Sequence, residues 1–114
     1  VDKVLEAVKK AVEEELERSY SEYGFGNFSS GHEGYAVIKE EVEEAEDELE
    51  RVKKKLNWLW SAVRRNEYPE EALLLLGHYA QLLACEAIQI AAMAVKYRTS
   101  LKTTKEDEDH GNKI

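Results

Sequence analysis

The chain has 114 residues, and its 16 Lys+Arg against 24 Asp+Glu set a formal charge of -8. That size predicts one domain, and that charge repels a phosphate backbone, which excludes polymeric nucleic acid as a partner. With 43% hydrophobic and 35% charged residues, six Gly and one Pro, breakers are scarce, which favours helices and excludes an all-β fold. The lone Cys85 cannot close an internal disulfide, and Val1-Asp2-Lys3-Val4-Leu5-Glu6 lacks the apolar core of a signal peptide. The cytoplasm is therefore the expected compartment.

Residues 2–20 carry Val4, Val8, Val12 and Leu16 at helical spacing, with Leu5 alongside, and predict an amphipathic first helix. Glycines and serines then end the periodicity in a loop over 21–31 that is also rich in aromatics. Ser30-Gly31-His32-Glu33 fits a capping box, so a second helix starts there. Its seam, Ile38, Val42, Ala45, Leu49, Val52, Leu56, Leu59 and Val63, steps by four and three and keeps one apolar stripe for about seven turns. Arg51, Lys53, Lys54 and Lys55 alternate with acidic neighbours and read as a solvated face.

Arg64 to Pro69 close this helix and open the next, with Pro69 at the first helical position and the turn centred near Asn66. A connection this short makes the two helices antiparallel neighbours. The third helix, residues 69–102, is apolar nearly all round between Ala72 and Val95. Gly77, His78, Gln81, Glu86 and Gln89 interrupt that stretch, which argues against a membrane span. Cys85 within it reads as a small buried hydrophobe and His78 as a hydrogen-bonded core histidine.

Three helices cover such a helix poorly, and the alanines at 80, 84, 87, 91, 92 and 94 permit close approach of another. The expected fold is all-α: a long antiparallel helical hairpin plus an N-terminal helix, completed into a bundle by oligomerisation as a homodimer or homotetramer. Trp58 and Trp60 flank the seam as packing or subunit-interface residues. The domain is expected to occupy residues 1–102. The polar stretch 103–114 shows no periodicity and is expected to be disordered.

Around the second helix, with residues about 100° apart, the seam stays within about 40° of Ile38. Glu41, Glu48 and Glu44 fall beside it, near -60°, -80° and -120° by the same rule, while Glu40, Glu43, Glu46 and Asp47 point elsewhere. The third helix supplies Glu86, alone among apolar neighbours, where an ionised carboxylate is costly unless paired or bound to a metal. Antiparallel register sets Glu86 and Gln89 opposite the glutamate stripe. Oxygen ligands converging from two helices suit Mg²⁺ or Mn²⁺. Such an ion can offset the charge of a polyphosphate and activate a water. A Glu-rich exposed helix also produces this pattern by composition alone.

Glu40-Glu41-Val42-Glu43-Glu44 resembles the E-E-x-x-E motif of the MazG-like all-α nucleoside triphosphate pyrophosphohydrolases, and Glu86-Ala87-Ile88-Gln89 resembles their second motif, E-x-x-D. His32-Glu33-Gly34-Tyr35-Ala36-Val37-Ile38 and Gln89-Ile90-Ala91-Ala92-Met93-Ala94 resemble a short phage and bacterial group of that family. The resemblance spans roughly residues 5–98. It implies a helical dimer or tetramer, Mg²⁺ held by Glu41, Glu44, Glu86 and Gln89, and hydrolysis of a nucleoside triphosphate to the monophosphate and pyrophosphate. Gln89 stands where the family has Asp and brings no charge, and the gap between the motifs is longer than the family's.

Under this reading a spare carboxylate, Glu40 or Glu48, serves as catalytic base. Asn27, Phe28 and Tyr35, with Tyr23 and Phe25, are positioned to meet a base, or else to tuck under the bundle. His32 is a candidate phosphate contact and also a plain cap-region residue. Lys96 and Arg98 could meet phosphates, and equally suit the helix dipole. The rival class is a catalytically inactive nucleotide-binding or structural helical dimer, distinguished by whether Glu86 is left uncompensated in its apolar helix.

Overall fold

The computed structural model describes residues 2–23, 28 and 30–112, with side chains for all of these except Tyr23 and residues 103–112. Among the described residues there are three helices and no strand: α1, Asp2–Tyr23; α2, Gly31–Arg64; and α3, Glu70–Asn112. The all-α expectation stands, and α2 and α3 pack as a hairpin while α1 contacts α3. Compactness divides the chain into two units, Glu40–Ala87, and Val1–Lys39 with Ile88–Ile114.

The start of α2 is capped as its sequence requires. Ser30 Oγ accepts the Glu33 amide at 3.1 Å, and the Ser30 carbonyl accepts the Gly34 amide at 3.1 Å, which satisfies two of the donors every helix leaves open at its N-terminus. The far end of α2 closes in a Schellman pattern. Asn66 takes a left-handed φ of 56°, its amide reaching the Val63 carbonyl at 3.2 Å and the Glu67 amide the Ala62 carbonyl at 2.9 Å. Asn is one of the few residues other than Gly that tolerates this conformation. The Pro69 carbonyl accepts the Leu73 amide at 3.0 Å, so Pro69 caps α3 one position before its first helical residue.

Helix α3 extends past Lys102 to Asn112. The segment lacks an apolar face but also lacks proline. Once a helix is nucleated, each further residue adds a hydrogen bond without a new nucleation cost.

In the unit Glu40–Ala87 the core is small-residue packing, with Ala62 and Ala72 buried and Val42, Val52, Leu59, Leu75, Leu76, Tyr79 and Leu83 half-buried. The covered side of α2 is turned toward the glutamate stripe. Its seam residues Leu49, Leu56 and Val63, with Trp60 beside them, stay exposed, Leu56 at 54% and Trp60 at 60%. Leu73, Leu74 and Leu82 are exposed on α3. Cys85 and His78 are exposed too, contrary to the buried roles expected of them; His78 stacks edge-on against Tyr79, with ring centroids 5.3 Å apart. Both were assigned to a core because α3 is apolar all round, but one partner helix covers only one side of it.

In the other unit Ala92 is fully buried, and Ser19, Lys96 and Ser100 are buried as well. The Tyr97 ring lies on Gly34, where an added Cβ would meet ring carbons at 2.1 Å, and the Tyr97 hydroxyl donates to the Gly31 carbonyl at 3.2 Å. Gly34 thus lets α3 approach the first turns of α2. On α1 the half nearer the loop is covered, whereas Val4, Leu5 and Val8 are exposed. Over Glu70–Lys102, α3 is long and apolar enough by length and composition to cross a membrane, at a mean hydropathy of 1.3. A helix shared between subunits of a bundle meets the same description.

Candidate metal centre

Two helices bring the three glutamates together. Glu41 and Glu44 are three apart on α2 and so share a face, and Glu86 meets them from α3 across the hairpin. One carboxylate oxygen from each lies within 4.8 Å of the others. Glu41 and Glu86 are half-buried, and Glu44 is exposed.

The electrostatics are those of a crowded set of acids. Burial, then Glu44, then Glu86, push the Glu41 carboxyl up to about 7, with hydrogen bonding to Glu86 and the charge of Glu40 acting in the same direction. Glu86 is also raised, first by burial and next by the charge of Glu44. Hydrogen bonding to Glu44 acts in the same direction on Glu86, and hydrogen bonding to Glu41 acts the other way. Repulsion among carboxylates held this close is relieved either by a proton or by a cation.

Glu48 adds a further observation. Its side chain is 16% exposed, one oxygen accepts from the Arg51 guanidinium at 2.8 Å, and the other, Oε2, is buried without a hydrogen-bond partner. Its charge is also one of the influences that raise Glu86. A buried carboxylate oxygen with no donor is unusual. The three carboxylates of Glu41, Glu44 and Glu86 offer the oxygen ligands and excess negative charge that a hard divalent cation takes.

The chain matches no protein-family model, no curated protein and no solved structure. The site therefore rests on its own chemistry.

Gln89 is half-buried one turn beyond Glu86 on α3, in the other unit. Glu40 is exposed. His32 and Tyr35 are exposed on the first turns of α2, Tyr35 at 65%, and Arg98 is exposed on α3. Phe28 is half-buried, its amide donating to Ser100 Oγ at 3.1 Å and its ring 5.9 Å from that of Tyr97. Lys96 is not on the surface: it is 7% exposed and donates to Ser19 Oγ at 3.2 Å. Asn27 lies outside the described residues. Trp58 and Trp60 are exposed, each with a cation over its ring, Lys55 at 5.2 Å and Arg64 at 5.7 Å.

Sequence reasoning set Glu48 in the glutamate stripe beside Glu41 and Glu44 and named it a candidate base, but not a ligand. The signal for a closer association was its position near -80°, between Glu41 and Glu44 on the same side of α2. The burial of Lys96 had no such signal, because it depends on α1.

Proposed function

We propose that the chain is a Mg²⁺- or Mn²⁺-dependent nucleoside triphosphate pyrophosphohydrolase of the MazG-like kind, converting a nucleoside triphosphate to the monophosphate and pyrophosphate. The observation that carries the reading is the meeting of Glu41, Glu44 and Glu86 within 4.8 Å, with Glu86 supplied by an otherwise apolar stretch of helix. A structural hairpin gains nothing from three mutually repelling acids at its interface. Glu41, Glu44 and Glu86 would hold the ion, which supplies charge neutralisation for the phosphates and a water of lowered pKa.

The protein's own contribution is positional. The hairpin fixes two ligands on one helix and the third on the other, so the site exists only when α2 and α3 are packed. Glu48, with Arg51 holding one oxygen and the other free of donors, is the better placed of the two candidate bases, since a general base needs an unoccupied acceptor. Glu40 is exposed and serves less well. Self-association as a homodimer or homotetramer belongs to the same reading. It is supported by the exposed line Leu49, Leu56, Trp60 and Val63 on α2, since contiguous apolar surface of that kind is usually covered.

The test is a screen of nucleoside triphosphates with Mg²⁺ and with Mn²⁺, scored for pyrophosphate and monophosphate. Release of orthophosphate and diphosphate would reject the reaction. A second reading, a nucleotide-binding or structural helical dimer without turnover, is favoured by Gln89 in the place of the family's Asp. Absence of product with every nucleotide would select it.

A further inference from the structure

We propose that Lys96 and Ser19 form an oxyanion-binding site of the phosphate class, separate from the carboxylate cluster and independent of any metal held there. The observation is a buried ammonium with no anion beside it among the described residues. Lys96 is 7% exposed, and its ammonium has three donors. Among the described residues its hydrogen bond goes to a neutral hydroxyl, Ser19 Oγ, at 3.2 Å. The rings of Tyr20 and Phe28 lie 5.6 Å and 5.3 Å from it.

Aromatic faces attract a cation, but a lysine removed from water is normally paired with a carboxylate or loses its charge. The acids nearest on α1 are committed elsewhere: Arg18 holds both Glu15 and Glu22. Among the described residues Lys96 thus has a neutral hydroxyl acceptor on one side and two rings on the others. That arrangement lacks only an acceptor with several lone pairs. A phosphate or pyrophosphate oxygen supplies it, taking hydrogen bonds from the ammonium and from the Ser19 hydroxyl together.

Phe28 is the group that must yield. Its backbone is tied by the amide bond to Ser100 Oγ at 3.1 Å, while its half-buried side chain can rotate away from Lys96 without breaking that tie. An entering anion would replace the ring over the ammonium and leave the chain path unchanged.

The experiment is thermal unfolding of the full chain, with chelator present, in sodium phosphate and in sodium pyrophosphate against sodium chloride at matched ionic strength. A nucleoside triphosphate arm distinguishes a free anion from the phosphates of a nucleotide. The expected result is a melting temperature several degrees higher in the oxyanion than in chloride for the parent protein. Lys96→Met, which keeps the volume and removes the charge, should abolish the difference. An equal rise in parent and variant is general salting-out and overturns the site, as does no rise in the parent. Should Lys96→Met fail to fold, Phe28→Ala decides the matter by titration calorimetry with phosphate. Uncovering the ammonium should tighten binding about tenfold, and unchanged or weaker binding overturns the proposal. Failure here leaves the carboxylate cluster untouched, because every arm excludes divalent metal.

Discussion

In the absence of divalent cations, the stability of this protein should depend on pH in the opposite sense to ordinary acid denaturation. The perturbed group is Glu41, raised from 4.5 to about 7 by burial, Glu44 and Glu86. Below the unfolded value near 4.5, folded and unfolded chains both carry the proton. Between 4.5 and about 7 the folded chain keeps it and the unfolded chain does not, so stability falls as pH rises. Above about 7 both forms are ionised and the loss is complete. At about 1.4 kcal/mol per pH unit the full span is roughly 3 kcal/mol. Because Glu41 is only half-buried, solvent screening reduces this to about 1–2 kcal/mol. For a domain of this size that corresponds to roughly 4–8 °C in melting temperature.

The assay is thermal and urea unfolding with chelator at pH 5, 6, 7 and 8, on the parent and on Glu41→Gln. The comparison between the two isolates Glu41 from the general repulsion of a chain carrying a charge of -8. The parent should lose stability across the series and the variant should lose distinctly less. Millimolar Mg²⁺ or Mn²⁺ should restore the parent at pH 8, where the ionised cluster binds a cation best. Equal pH slopes in the two proteins would refute the assignment of the raised carboxyl, and with it the claim that these acids are crowded.

Three further outcomes are expected. Glu86→Gln should leave the metal-free protein as stable as the parent or more stable while weakening Mg²⁺ binding; a metal-independent loss of about 3–5 kcal/mol would instead mean that Glu86 is the buried partner of a cation. Gly34→Ala should cost about 1–2 kcal/mol in urea unfolding, since overpacking against Tyr97 outweighs the gain of about 1 kcal/mol from alanine in a helix; in a Tyr97→Ala background the same change should become neutral or stabilising, and persistence of the cost would show that the clash is not its cause. Sedimentation should find the parent larger than its 13.1 kDa chain, and Leu56→Glu should shift it toward the monomer; a parent that is monomeric at micromolar concentration removes the second subunit from the account.

Much of this architecture follows from local chemistry. Steps of three and four along Ile38 to Val63, the Ser30 cap and the Asn66-to-Pro69 connection specify two antiparallel helices, because capping and turn geometry depend on residues a few positions apart. The same arithmetic puts Glu41, Glu44 and Glu48 on one side of α2 and turns the lone Glu86 toward them. What the sequence could not decide is how far each helix is covered. Apolar content made Cys85 and His78 core residues, and the structure exposes both, because burial depends on which face the neighbouring helix covers. The left-over oxygen of Glu48, the ring of Tyr97 on Gly34 and the enclosure of Lys96 by Ser19, Tyr20 and Phe28 likewise join residues distant in the chain. Such contacts are set by helix rotation and approach, which no periodicity along a single helix encodes.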